Sequence, residues 1–190
     1  MVSGRYGQQR GMRVRPLSRA KIRAVALALR ECCNESAPRV DVARFIEHKL
    51  FAEFNVEFSV QPESVLGPDE GRTYPDTMQL QLREDVYDAL IAEDPRARFT
   101  AMHEVGHLFL HRGVPLRRTL AASDHKPFED SEWQGDAFAA EFLMPIEPIM
   151  QMRYKTAVCA SEVFGVSLRA ALIRMDVLRM EGVLPKIPKF

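Results

Sequence analysis

The residues best suited to chemistry lie in the run Ala101-Met102-His103-Glu104-Val105-Gly106-His107-Leu108. On a helix, residues four apart stand one above the other, so His103 and His107 share a face with roots about 5–6 Å apart. Imidazole nitrogens bind zinc at about 2.0–2.1 Å, and two from adjacent turns can share one ion. Glu104, beside His103, can reach a water next to the metal without occupying the metal. That set suits hydrolysis of an amide, a poor electrophile attacked by a poor nucleophile. Zinc polarises the carbonyl and acidifies the water, while a carboxylate takes the water's proton and returns it to the leaving amine. The plainer alternative is a core helix whose histidines fall there by chance.

Two imidazoles leave a tetrahedral ion one protein ligand short if its last position holds water. Glu132, on a helix expected over residues 131–143, is the candidate, and Asp136 follows four residues later on the same face. A carboxylate there can accept the free ring N–H of a zinc histidine and fix its tautomer. Glu129 and Asp130 are alternative ligands if that helix begins earlier. His111 continues the four-residue spacing, but three turns of one straight helix do not bring three rings onto one ion. It reads as a wall or supporting residue, or as a histidine at the helix end. His125 in the loop and Tyr74 in a turn-rich stretch are candidate donors to a developing oxyanion, and His125 is also a candidate ligand.

These side chains need a scaffold. Asp94-Pro95 starts the motif helix, which is expected to run to about His111 and stop before Gly113 and Pro115. Phe99, Met102, Val105, Leu108, Phe109 and Leu110 can bury most of it. A helix interior loses about 1 kcal/mol with Gly relative to Ala, so Gly106 implies a close approach by substrate or another strand. Upstream, Ser18 caps a helix reaching about Cys33 with Ile22, Val25, Ala26 and Leu29 as its apolar stripe. A second helix runs through Val42, Phe45, Ile46, Lys49 and Leu50, with Asp41 in its first turn. Val56, Phe58 and Val60 alternate with polar residues as a strand with one buried face. Met78, Leu80 and Leu82 do the same. Gly67-Pro68-Asp69-Glu70-Gly71 is turn chemistry, 84–91 is helical, and residues 114–129 read as a loop. Two helices close the chain at about 155–164 and 167–180, the latter capped by Ser167. The fold class is α+β, mostly helical, with a small sheet packed against the motif helix.

The 190 residues suit one domain, 16–180, between an N-terminal arm (1–15) read as flexible and a C-terminal tail (181–190). Twenty-six basic and 26 acidic residues balance, which argues against a large nucleic-acid footprint. Arg5, Arg10, Arg13 and Arg15 could touch nucleic acid, but an ordinary solvated terminus is the expectation. Cys32, Cys33 and Cys159 form no spaced thiolate site and read as free thiols of a reducing compartment. The chain shows no secretion signal and no apolar stretch near the roughly 20 residues needed to span a bilayer, so a cytoplasmic location is expected, with no membrane partner. Val114-Pro115-Leu116 and 146–152 could line a cleft or a homodimer contact.

Two blocks carry a resemblance: residues 98–111, holding the motif helix, and Glu132-Trp133-Gln134-Gly135-Asp136-Ala137-Phe138-Ala139-Ala140-Glu141-Phe142-Leu143-Met144-Pro145. A weaker third runs from Phe164-Gly165-Val166-Ser167 to Arg174. Together they resemble the ImmA/IrrE family of metallopeptidase-like proteins over about residues 38–180. The resemblance implies a zincin-like domain, with His103, His107 and Glu132 on zinc in a gluzincin-like set and Glu104 as catalytic base. It also implies bacterial or mobile-element proteins of the cytoplasm. Their substrates, where known, are helix-turn-helix repressors cleaved in phage, conjugative-element or stress responses. This chain has Gly135-Asp136 where the family usually has Ala-Asn. The alternatives are a zinc-containing module that controls a repressor by binding alone, or a DNA-binding regulator. Residues 155–180 resemble a helix-turn-helix, but their apolar residues suit a packed pair better. Arg169, Arg174 and Arg179 are expected in solvent or facing an acidic partner.

Overall fold

A computed structural model of the chain describes residues 11–114 and 126–186. Helix α1 (Arg19–Cys32) starts where the Ser18 hydroxyl accepts from the Lys21 amide, and it buries Ile22, Ala26 and Leu29. Asp41 caps the next helix from outside rather than from within its first turn, accepting from the Arg44 amide. That helix is continuous through α2 (Val42–Arg44), a π-helical turn (Phe45–Lys49) and α3 (Leu50–Phe54), ending at Asn55 in the left-handed region. The π turn places both Phe45 and Ile46 in the core.

The sheet has three strands: β1 (Glu57–Gln61), β2 (Gly71–Tyr74) and β3 (Gln79–Arg83), in the order β1-β3-β2. The central strand β3 pairs parallel with β1 and antiparallel with β2. Leu80 and Leu82 are fully buried, as their alternation requires. The expectation for β1 fails in part. Val56 precedes the strand and is buried, whereas Val60 is 37% exposed. Its strand lies at a sheet edge. β2 was not legible as a strand, because Gly71 and a short helix α4 (Glu63–Leu66) sit in a stretch dominated by turn residues.

Helix α5 (Glu84–Ile91) leads to the motif helix α6 (Pro95–Leu110), capped by the Asp94 carboxylate, which accepts from the amides of Arg96 and Ala97. After a 3-10 turn (Pro127–Glu129) comes α7 (Ser131–Leu143), then α8 (Ile146–Gln151), α9 (Ala157–Phe164) and α10 (Leu168–Met180). Packing is most extensive between α6 and α7 and next between α1 and α7, with β2 and β3 against another side of α6. The result is a mostly helical α+β domain whose small sheet packs on the motif helix. Gly106 is explained by a helix rather than a strand or substrate: a Cβ there would stand 2.9 Å from the Cβ of Phe138 on α7. Arg98, fully buried, donates to the carbonyls of Phe164 and Gly165 and so ties α6 to the end of α9.

Residues 11–17, read from sequence as a loose arm and helix approach, are hydrogen-bonded alongside 128–131 instead. The Val14 amide donates to the Glu129 carbonyl, Leu17 to Phe128, and Ser131 to Met12, around an antiparallel bridge between Arg13 and Asp130. Cys32, Cys33 and Cys159 are free. Among the described residues no helix is long and apolar enough to cross a membrane.

Candidate metal centre

Helices α6 and α7 bring His103, His107 and Glu132 together, with one ligand atom from each within 4.8 Å of the others. His103 Nε2 lies 2.8 Å from His107 Nε2, and the Glu132 carboxylate oxygens lie 3.3 and 3.5 Å from those two nitrogens. Each ring is braced at its far nitrogen. His103 Nδ1 is 2.9 Å from Asp136 Oδ1, and His107 Nδ1 is 3.0 Å from His111 Nδ1. If both histidines carry their proton on Nδ1, two bare nitrogen lone pairs and a carboxylate face one point. Those groups repel one another unless a proton or cation lies among them, so the donor set fits a divalent metal.

Glu104 projects beneath β2. A Cβ at Gly71 would stand 2.7 Å from Glu104 Cγ, so the strand can pass this carboxylate closely only because residue 71 lacks a side chain. Burial raises the Glu104 pKa to about 7 despite the opposing pull of His103. For His103, burial favours the neutral ring, but hydrogen bonds to Asp136 and Glu132 prevail and lift it to about 10. Burial holds His107 well below its ordinary value. In Glu132 burial is outweighed by its contacts with His103 and His107, which bring it down to about 2.

A titration follows for the metal-free protein. With His103 near 10, its ring carries a proton at pH 7 that a metal must displace, and Glu104 near 7 is about half protonated there. Metal binding at pH 7 therefore releases at least about one proton, and affinity falls as pH falls. Calorimetry in two buffers of different ionisation enthalpy reads that number directly. Uptake of metal with no proton released contradicts the assignment of charge.

The other candidates divide. Asp136 and His111 stand where the sequence places them, beside His103 and His107. Glu129 and Asp130 stand outside the converging group and are engaged elsewhere: Glu129 accepts from Arg13 and the Lys126 amide, and Asp130 caps α7 by accepting from the Trp133 amide. Tyr74 is not brought to the site. It ends β2 three residues after Gly71, so alternation along the strand sends it to the face opposite Glu104, where it is 40% exposed. His125 lies outside the described residues. Sequence reasoning missed Gln134, a fully buried amide that meets His111. A glutamine two positions after a ligand carries no spacing signal.

Gly135 of α7 lies against the His103 ring. A Cβ there would meet the His103 ring at 2.9 to 3.1 Å, so the glycine makes room for that ring. Gly135→Ala is expected to weaken metal affinity about 10-fold by turning the ring, within the range for disturbed support of a metal ligand. Competition with a chromophoric chelator measures this, and unchanged affinity counts against the close fit.

The histidine–carboxylate set is of the kind that metallopeptidases use. The family model Peptidase_M78, described as the IrrE N-terminal-like domain, matches residues 88–176. Over that segment the chain is similar to this domain, which supports the resemblance to the ImmA/IrrE family. The match spans both motif blocks and runs from within α5 into α10, leaving α1 outside it. No curated protein matches the chain.

Proposed function

We propose that the chain is a zinc-dependent endopeptidase acting on a specific protein, a helix-turn-helix transcriptional repressor or antitoxin-like partner. The observation that carries this is the convergence of His103, His107 and Glu132 beside a half-buried carboxylate, Glu104, that is not one of the three. A purely structural ion has no use for Glu104. When bound, zinc supplies Lewis acidity, polarising a peptide carbonyl and lowering the pKa of water. His103, His107 and Glu132 hold it, while Asp136 and His111 keep the imidazoles aimed. Glu104 takes a proton from the attacking water and delivers it to the leaving nitrogen. The narrow substrate class comes from the family resemblance, as does a cytoplasmic setting.

DNA binding is disfavoured by Arg174. It lies fully buried against Glu141, not in solvent as its helical position suggests, and so offers no charge to phosphate. Arg179 pairs with Asp176.

The test is incubation of the zinc-loaded chain with purified candidate repressors, followed by intact-mass analysis. Two fragments that sum to one repressor plus water, and that vanish with a chelator, support the proposal. Stable complexes with no fragments favour control by binding alone.

A further inference from the structure

We propose that residues 11–15, acting through Gln134 and His111 on one side and through Ser131 on the other, are a positioning device for the metal centre. The proposal rests on the reading of His103, His107 and Glu132 as that centre.

The first arm is a chain of hydrogen bonds whose directions are fixed from its outer end. The Gln134 amide nitrogen donates to the Arg15 carbonyl at 2.9 Å and to the Phe128 carbonyl at 2.8 Å. A carbonyl oxygen only accepts, so the amide cannot be flipped without setting oxygen against two oxygens. Gln134 Oε1 therefore faces His111 Nε2, 3.1 Å away, and that nitrogen must carry a hydrogen. His111 is 3% exposed, a setting that favours the neutral ring, which leaves its Nδ1 bare. Bare Nδ1 faces His107 Nδ1 at 3.0 Å and accepts from it. The remaining nitrogen of His107, Nε2, is then a free lone pair aimed at Glu132 and His103. The carbonyl of Arg15, in the segment before the first helix, thus helps select the tautomer of a ligand three hydrogen bonds away.

The second arm presses on the third ligand. The Gly11 amide donates to Asp130 Oδ2 and the Met12 amide to Ser131 Oγ, each at 3.0 Å, while the Ser131 amide returns a bond to the Met12 carbonyl. These bonds seat Gly11 on the first turn of α7. A Cβ at Gly11 would lie 2.2 Å from Ser131 Oγ, 2.7 Å from Glu132 Cγ and 2.8 Å from the Glu132 amide nitrogen. The last is helix backbone and cannot step aside cheaply. Any side chain at position 11 must therefore move the segment or the root of Glu132.

Three measurements on the full chain test this: histidine tautomers from long-range proton–nitrogen NMR of the metal-free protein, zinc affinity by chelator competition, and the urea midpoint of the metal-free protein. In the native chain His107 is expected to be protonated on Nδ1 and His111 on Nε2. Gln134→Leu should lose that pattern. Gly11→Ala should keep the tautomers yet weaken zinc binding about 10-fold, with the metal-free urea midpoint unchanged. Gly11→Ala leaves Gln134 and His111 in place, so it reports even if Gln134→Leu fails to fold. His111 protonated on Nδ1 in the native chain overturns the first arm. Native zinc affinity in Gly11→Ala, or a loss explained by a fallen midpoint, overturns the second. His103→Ala is the control: if it binds zinc as tightly as the native chain, the metal-centre reading itself fails, and the tautomer result remains a separate outcome.

Discussion

Glu104→Gln is expected to lower the rate of peptide cleavage by roughly 10²–10⁴-fold, the usual contribution of a positioned general base, while zinc content stays at the native level. Gln keeps the size and leaves the close pass of Gly71 undisturbed, but its amide cannot take a proton from water. Zinc is retained because Glu104 is not among the three converging ligand groups. Single-turnover cleavage with enzyme in excess, alongside metal analysis, separates the two quantities. A Glu104→Gln chain that cleaves at the native rate contradicts the assignment; one that loses its metal makes Glu104 a ligand. The pH dependence has a definite sign. Glu104 acts only when ionised, so activity falls on the acid side as it takes up a proton. Burial holds this group at about 7 without metal. A bound cation lowers it, so the acid limb lies at or below neutrality.

The second large effect lies away from the metal. Glu141→Ala should destabilise the fold by about 3–5 kcal/mol, the cost of stranding one partner of a buried ion pair. Glu141 and Arg174 are both fully buried, joined by two bonds of 2.6 and 2.7 Å. Arg23 of α1 adds bonds of 2.8 and 3.1 Å to the same carboxylate, and Arg174 also donates to the Met144 carbonyl. One carboxylate therefore clasps α1, α7 and α10 together. Its removal leaves Arg174 charged in the interior with only that carbonyl among these partners. Urea unfolding of the metal-free protein measures the loss, and a native midpoint refutes the clasp. Burial pushes the Glu141 pKa up, but its bonds to Arg23 and Arg174 prevail and hold it below the ordinary value. The folded pKa is thus depressed. The stability it brings is present above the unfolded carboxylate range and is lost as pH falls through the folded value.

The motif helix, the Glu132–Asp136 pair and most helix boundaries could be read from sequence, because caps and four-residue spacings are local. Asp94, Ser18 and Ser167 each act within one turn of chain. What could not be read depends on distant neighbours. The strand at Gly71–Tyr74 forms because β3 offers an edge, which its turn-rich composition conceals. The opening segment is ordered over residues 11–17 because α7 presents Asp130 and Ser131 to it across more than 110 residues of sequence. Arg174 follows a helical surface pattern yet is buried, since its partner Glu141 lies on another helix. Tyr74 seemed plausible by type and was excluded by the face of its strand. Gly106 signalled a close approach, but only the packed helices identify Phe138 as what approaches, and the room that Gly135 makes for the His103 ring was not foreseen.

The central claim is that two imidazoles and a carboxylate enclose one divalent ion with Glu104 beside it. Crystals grown with zinc, measured on both sides of the zinc absorption edge, test it most directly. The expected result is one anomalous peak about 2.0–2.2 Å from His103 Nε2, His107 Nε2 and a Glu132 oxygen, with Glu104 outside the ligand set. No peak at that point, with the two rings turned away from each other, would contradict it.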